Sequence, residues 1–532
     1  MSELKIQDID HLGIVAGIID EIGLVEIVNE EIGENEQEKV SAGLVVKAML
    51  LNGLGFVTAP LYLFSKFFEG KAIEHLLGEG ITSKDLNDDK LGRILDKIYK
   101  VGVTQLFIKI ALAAVKIFGV KMNRLHLDSS SISVEGEYGE NEGDGAVKIT
   151  HGYSRDKRPD LKQFMIDLIC SGDGDVPVYF RVGSGNESDN PIFPIIIQEY
   201  QDKWQSEALF IADAALYGEE NLKLLGNTRW LSRVPSKIKQ ASQLEQEISE
   251  EAFRDSKRVG YRLASVCSEY GGIRQRWLVV ESEERKQADW RKLDKNLEKE
   301  LDKALKELKN LEKMNFACEV DARMAAERWS QTLPYHQLTQ VQIKAYPYYS
   351  QPGRPKKEAK AEGYHYRLSG QLILEQQAVD WVRLRAGRFI LATNVGDTDD
   401  LSDEEMLGEY KAQQSVERGF RFIKDPLFFA SSVFLKSPRR IAALAMIMAL
   451  CLLVYSLAQR SLRFSLEQQQ QTIANQLGKP TAKPTMRWVF QCFQSVHWVC
   501  LNGIQQIANL SSEHQRILAF LGSSCQKYYL LC

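Results

Sequence analysis

The chain has 532 residues, 44% of them hydrophobic and 26% charged, with a formal net charge of -4. That length exceeds one ordinary hydrophobic core, so about two to four domains are expected. The slightly acidic balance argues against a protein that coats nucleic acid over its whole surface, but it leaves room for a local basic groove and for acidic clusters that hold metal ions. The eight cysteines are scattered with no C-x-x-C pair, which excludes zinc-finger spacing and reads as a set of reduced cytosolic thiols. The opening MSELKIQDIDHLGIV has neither the basic start nor the apolar block of a signal peptide, so a cytoplasmic protein is expected.

Residues 1–120 are predicted to be helical throughout, because apolar residues recur at three- and four-residue spacing over 40–57 and 61–78. An acidic start at Asp88 and a break at Gly102 divide the stretch 88–119 into two helices. Arg93, Lys97 and Lys100 fall on polar faces, where a DNA-reading surface and a plain solvated face are both open.

At Arg124 the pattern turns to strands. RLHLDSSSISVEG (124–136) alternates, with Leu125, Leu127 and Ser129 on one face and His126, Asp128 and Ser130 on the other. Two β-rich runs, 161–171 and 175–185, are joined by Gly172-Asp173-Gly174-Asp175 and read as a hairpin. A helix over 192–200, a buried strand at 208–214, a helix over 219–225 and a strand at 228–235 follow. This order predicts an α/β domain with a mixed sheet.

Residues 240–385 have a different texture: a highly charged helix over 285–314, strand-like pieces, and a basic loop QPGRPKKEAK (351–360). A strand at 387–395 and a long helix from Ser402 then resume the α/β style. The predicted organisation is a helical domain over 1–120, a core made of 121–238 and 386–465, an inserted domain over 239–385, and a C-terminal helical region over 466–532. The apolar stretch 441–458 sits at the lower limit for a membrane span. A lone segment of this kind deep in a chain reads as a helix buried on all sides, and no membrane partner is expected.

Three acids stand out. Asp128 lies in the first strand of the α/β unit, and Asp213 ends the apolar strand that starts at Ala208. Carboxylates at strand C-termini project into the crevice where ligands sit, and two on adjacent parallel strands can share a hard cation such as Mg²⁺. On the later helix, Ser402 and Glu405 form a capping box. Tyr410, Glu417 and Lys424 then follow at sevenfold spacing, which falls only ~20° short of two turns and lines one face. A phenol, an acid and an ammonium on one seam suit a phosphate-bearing substrate.

These residues resemble the DDE transposases of bacterial insertion sequences, in the superfamily with a Y-R-E-K signature: Tyr, two residues, Arg, three residues, Glu, six residues, Lys. Tyr410, Glu417 and Lys424 fit that spacing within YKAQQSVERGFRFIKDPLF (410–428); the Arg slot holds Gln413, and Arg421 lies one turn beyond Glu417. HLDSSSISV (126–134) and FIADAALYGEENL (210–222) are similar to the family's two aspartate segments. HGYSRDKRPDLKQ (151–163) is similar to a string common in one branch, and 52–78 and 86–99 resemble the helical domain fused ahead of the core in that branch.

The resemblance implies an RNase H-like core, a mixed five-stranded sheet with helices, interrupted by an insertion between its last strand and the glutamate helix. The separations, 85 residues from Asp128 to Asp213 and 204 from Asp213 to Glu417, agree with a large insertion in the second interval. It further implies Asp128, Asp213 and Glu417 as catalytic ligands of two Mg²⁺ or Mn²⁺ ions. The implied partners are double-stranded DNA, as terminal inverted repeats and target, and a second copy of the chain in a homodimer. Tyr410, Arg421, Lys424, Arg158, Lys162, Arg354, Lys356 and Lys357 are the candidate DNA contacts, with solvated surface as the alternative for the basic ones in 151–163 and 351–360. In related enzymes the insertion helps manage the cleaved end, sometimes with a Trp; among Trp230, Trp277, Trp290 and Trp329 none is singled out. Two other classes stay open: a catalytically silent DNA-binding remnant, and an RNase H-like nuclease that does not join strands.

Overall fold

Strand β1 (Arg124–Val134) runs through the middle of a nine-stranded sheet, and its two edges are paired in opposite senses. On one side it pairs antiparallel with β2 (Lys162–Ser171), which pairs antiparallel with β3 (Pro177–Ser184). On the other it pairs in parallel with β4 (Leu209–Ala212), which pairs in parallel with β5 (Trp230–Arg233). These five strands form the RNase H-like core. The structure is a computed structural model, and it describes residues 4–33, 38–56, 59–138, 147–204, 206–349, 361–425, 435 and 437–531.

The sheet is wider than the five strands expected. Strands β6 (Arg254–Asp255), β7 (Tyr261–Tyr270), β8 (Ile273–Ser282) and β9 (Arg388–Thr393) continue it in the order β5-β9-β8-β7-β6, every added pair antiparallel. The chain therefore leaves the sheet only at Ser282 and rejoins it at Arg388, whereas the change of texture in the sequence sets in at about residue 240. The reason is burial: Trp277, Leu278, Val279 and Val280 are fully buried, a continuous apolar run of the kind a strand covered on both faces requires. A buried ion network closes the root where the chain leaves and returns. Arg388 is 3% exposed and donates to Glu281 Oε2 at 3.1 Å, while Arg262 reaches the other oxygen of the same carboxylate.

What projects beyond the root is a 31-residue charged helix (Glu283–Lys313), a second helix (Glu319–Ser330) and an antiparallel ribbon (His336–Tyr348 with Gly363–Leu374). The long helix buries only Leu293, Ala304 and Leu308, as its weak apolar spacing predicts. Trp230 and Trp277 are core residues with no exposed surface; the Trp329 indole donates to Glu307, and Lys286 sits over the Trp290 ring.

The N-terminal residues are mostly helical. Asn87 caps the helix Asp88–Val101 by accepting from the Lys90 N–H, and Gly102, at φ +102°, ends it. The next helix, Val103–Phe118, leaves at 88°. One strand, Leu4–Asp8, was not anticipated, since five residues are too few to show a period. It pairs with His497–Leu501, which pairs with Ile504–Ala508, so the C-terminal region is not wholly helical either.

The apolar stretch 441–458 lies in α4 (Pro438–Gln468), which is long and apolar enough to cross a membrane; 94% of its most apolar window is nevertheless buried inside the protein. It packs against Ala42–Leu54, Asp88–Val101, Val103–Phe118, a C-terminal helix (Ser512–Leu521) and β3. One hydrophobic cluster thus joins the N-terminal helices, the C-terminal region and one face of the core sheet.

Candidate active site

The alternation read from the sequence is kept along β1. Leu125 and Leu127 enter the hydrophobic cluster on one face, and Asp128 points the other way. Leu127 of β1 lies opposite Ala212 of β4 in the parallel register, so Asp128 and Asp213 are the next residue on each of two neighbouring strands. Asp213 Oδ1 accepts the Ala215 N–H at 2.8 Å, and the Asp213 carbonyl accepts from the Ser232 hydroxyl at 2.7 Å. These bonds fix the turn at the end of β4.

Burial dominates the electrostatics of Asp128. It pushes the Asp128 carboxyl up to about 7, with Asp213 and Asp189 adding repulsion and Arg155 opposing it. Arg155 Nη1 stands 3.8 Å from Asp128 Oδ1, and the same guanidinium is ion-paired with Asp189. Asp189 begins helix α1 (Asp189–Trp204), and its carboxyl is also raised, mainly by burial. Neither Arg155 nor Asp189 was singled out from the sequence. Arg155 lies inside the quoted string 151–163, and Asp189 stands two residues before Pro191 at a helix start, a position that reads as ordinary capping.

The third acid arrives differently. The helix from Ser402 begins with the expected capping box, Ser402 Oγ accepting from the Glu405 N–H and Glu405 Oε2 from the Ser402 N–H. It is not continuous: α2 (Asp403–Ala412) ends at Gln413 and α3 (Gln414–Lys424) begins beyond it. Gln413 is 9% exposed, and its amide approaches the Leu127 carbonyl of β1 at 3.5 Å. The residue in the signature's Arg slot is therefore turned into the protein at the junction. Glu417 lies in the first turn of α3, with its side chain 57% exposed and Arg421 Nη2 3.9 Å away.

Asp128, Asp213, Glu417, Tyr410 and Gln413 line one cleft of about 420 Å³. Asp128 and Asp213 enter it from neighbouring strands and Glu417 from α3. Among the described residues no three acidic, histidine or cysteine side chains converge tightly enough to grip an ion.

Of the seam predicted for Tyr410, Glu417 and Lys424, the first two line the one cleft on either side of the turn at Gln413. Tyr410 lines the cleft and packs against Phe389 at 5.7 Å. Lys424 donates to Asp156 at 2.7 Å, and Arg421 is 79% exposed. Arg158 forks onto Asp160, and Lys162 donates to the Tyr138 carbonyl at 2.8 Å. Arg354, Lys356 and Lys357 lie outside the described residues.

Residues 121–454, well over half of the chain, match the family model described as a transposase DDE domain. The chain is a DDE transposase. Ahead of that match, residues 4–112 of the transposase fit a domain of unknown function, DUF4277. No curated protein matches it. A cryo-EM structure of a piggyBac transposase synaptic complex with hairpin DNA aligns over 99% of this chain and 88% of its own, at 10% identity and a TM-score of 0.38; so loose an alignment says nothing about the site.

DDE transposases as a family use divalent metal ions. Asp128 and Asp213, following paired positions on two neighbouring parallel strands, are hard oxygen donors of the kind such ions take, while Glu417 lines the same cleft without closing a three-donor group with them.

Proposed function

We propose that this transposase cleaves DNA at the ends of its own mobile element and joins those ends to target DNA. Asp128, Asp213 and Glu417 would hold two Mg²⁺ or Mn²⁺ ions, which supply an activated oxygen nucleophile and steady the departing oxygen. The observation that supports this reading is the parallel register of β1 and β4, in which Asp128 and Asp213 follow paired positions, in a cleft that Glu417 also lines.

The chain's own residues then divide the work. Asp128 and Asp213 supply fixed oxygen ligands on rigid strands, and Glu417 completes the set from a helix whose other exposed residues can meet DNA. Tyr410 and Arg421, on either side of Glu417, reach phosphate oxygens; Arg158, Lys162 and Lys424 flank them once released from their present partners. The partners are double-stranded DNA, as terminal inverted repeats and target, and a second copy of the chain, since two ends must be brought together. The place of action is the DNA of the cytoplasm.

The deciding experiment incubates the protein with end DNA of its element and Mg²⁺, comparing wild type with Asp128→Ala, Asp213→Ala and Glu417→Ala. Each substitution is expected to abolish cleavage and leave end binding largely intact. Normal cleavage by one variant removes that residue from the site; cleavage without joining assigns a nuclease instead, and binding without cleavage by wild type assigns a silent remnant.

A further inference from the structure

The loop that carries Arg155 is fastened to the strand that carries Asp128. Its two ends are tied by the Thr150–Gln163 bridge, and the Arg155 N–H donates to Ser131 Oγ at 3.2 Å, three residues along β1 from Asp128. The neighbouring cations of the loop are turned elsewhere, Arg158 to Asp160 and Lys162 to Tyr138. Arg155 is directed at the acids, and among the described residues no other base lies within 4 Å of Asp128. Its guanidinium has two carboxylates to choose between. It is ion-paired with Asp189 and 3.8 Å from Asp128.

We propose that Arg155 is a positioning residue that stands beside Asp128 in place of a divalent ion, and that Asp189, already paired with it, is the dock that keeps it when an ion binds. This rests on the reading of Asp128 as a metal ligand. A guanidinium and a divalent ion are like charges competing for one carboxylate, and in a partly buried site their repulsion is screened far less than in water. Metal loading would then be an exchange at Asp128: with its oxygens given to an ion, the arginine would lose its longer contact to Asp128 and keep the ion pair with Asp189 that it already makes. Asp189 acts on metal affinity through Arg155 and is not itself a ligand.

The test is Mn²⁺ binding by the full-length protein, read as free Mn²⁺ by electron paramagnetic resonance, with Asp128→Ala to identify the site's own ion. Arg155→Gln should tighten that binding about tenfold at low salt, an order of magnitude set by the loss of one charge a few ångströms away. Arg155→Lys should stay near wild type. Asp189→Asn should weaken binding, because the arginine is left with Asp128 as its only acid. In the double variant with Arg155→Gln, Asp189→Asn should have no effect.

Unchanged or weaker binding by Arg155→Gln, with a normal thermal melt in EDTA, overturns the proposal and leaves the metal site standing. So does a further loss from Asp189→Asn in the double variant, which would make Asp189 a ligand. If Arg155→Gln does not fold, Asp189→Asn alone decides, and unchanged affinity counts against the exchange. If wild type has no Mn²⁺ site that Asp128→Ala removes, both readings fall.

Discussion

Lys424, the last residue of α3, donates its ammonium to Asp156 at 2.7 Å and so ties the end of the glutamate helix to the loop that carries Arg155. The pair is partly exposed, 23% for the lysine and 37% for the aspartate, so it adds little stability, roughly 0–1 kcal/mol. Its consequence is for DNA: while paired, the ammonium is not offered to a phosphate. Asp156→Asn should raise affinity for non-specific duplex about threefold and steepen the dependence of log K on log salt by about one contact. Lys424→Ala should do the reverse. Fluorescence anisotropy from 50 to 200 mM salt, about the range over which such slopes are resolved, checks both; equal slopes in the two variants would show that Lys424 never reaches DNA.

Asp128 should make stability depend on pH in the metal-free protein. Its carboxyl is raised from 3.8 to about 7, so the folded state holds a proton that the unfolded state releases. The penalty is absent below the unfolded value, grows as pH rises, and is complete above about 7. Asp128→Asn removes it. In EDTA the variant should be more stable than wild type at pH 8 by roughly 2–4 kcal/mol, with the gap narrowing to about half or less at pH 5. A gap that does not change with pH, measured by urea denaturation, would locate the effect in shape and not in charge.

On the proposed function, the same carboxyl should gate metal binding. A ligand oxygen must be deprotonated to take a divalent ion, so saturating Mg²⁺ should raise the melting temperature at pH 8 and have little effect at pH 5.5. At a hundred times the dissociation constant the gain is about 2.7 kcal/mol. Asp128→Asn should lose the shift at both pH values. Thermal melts with and without EDTA give the answer, and an equal Mg²⁺ shift in Asp128→Asn would place the ion elsewhere.

How much of this was legible in the sequence depends on the range of the interaction that fixes each part. The faces of β1 follow from alternation alone, and the start of α2 from a local capping box, so both could be read. The pairing of Asp128 with Asp213 needed only that two strands be parallel neighbours. The return of the chain to the core at β9 was readable, but the widening of the sheet by β6–β8 was not, because nothing local distinguishes a strand that extends the core sheet from one in a separate domain. Arg155 and Asp189 were missed for a related reason: they are 34 residues apart and acquire meaning only when the loop folds back onto β1. The turn at Gln413 was hidden because the sequence on both sides is strongly helical and Gln413 itself keeps a helical backbone.

The burial of Gln413 makes a prediction about the signature position. Gln413 is nearly buried against the strand that carries Asp128 and lines the same cleft as the three acids, so an arginine placed there must be desolvated and would occupy the carboxylates that a divalent ion needs. Gln413→Arg should cost about 1–3 kcal/mol and leave DNA affinity unchanged, as read by chemical denaturation and anisotropy. A stable Gln413→Arg protein that binds DNA more tightly would mean that α2 and α3 form a continuous helix in the DNA-bound state, with residue 413 turned outward.

Helix α4 decides whether the N-terminal helices unfold apart from the core. Leu450 is fully buried in it, within the cluster shared by the N-terminal helices, the C-terminal region and β3. Leu450→Ala removes side-chain volume that no single region can refill, at a cost of about 2–5 kcal/mol. Because the cavity touches all of these elements, calorimetry should show one transition moved to lower temperature with its cooperativity kept. Two transitions, with only one displaced, would mean that the cluster is two cores in contact and that the helices ahead of Arg124 can separate from the catalytic sheet.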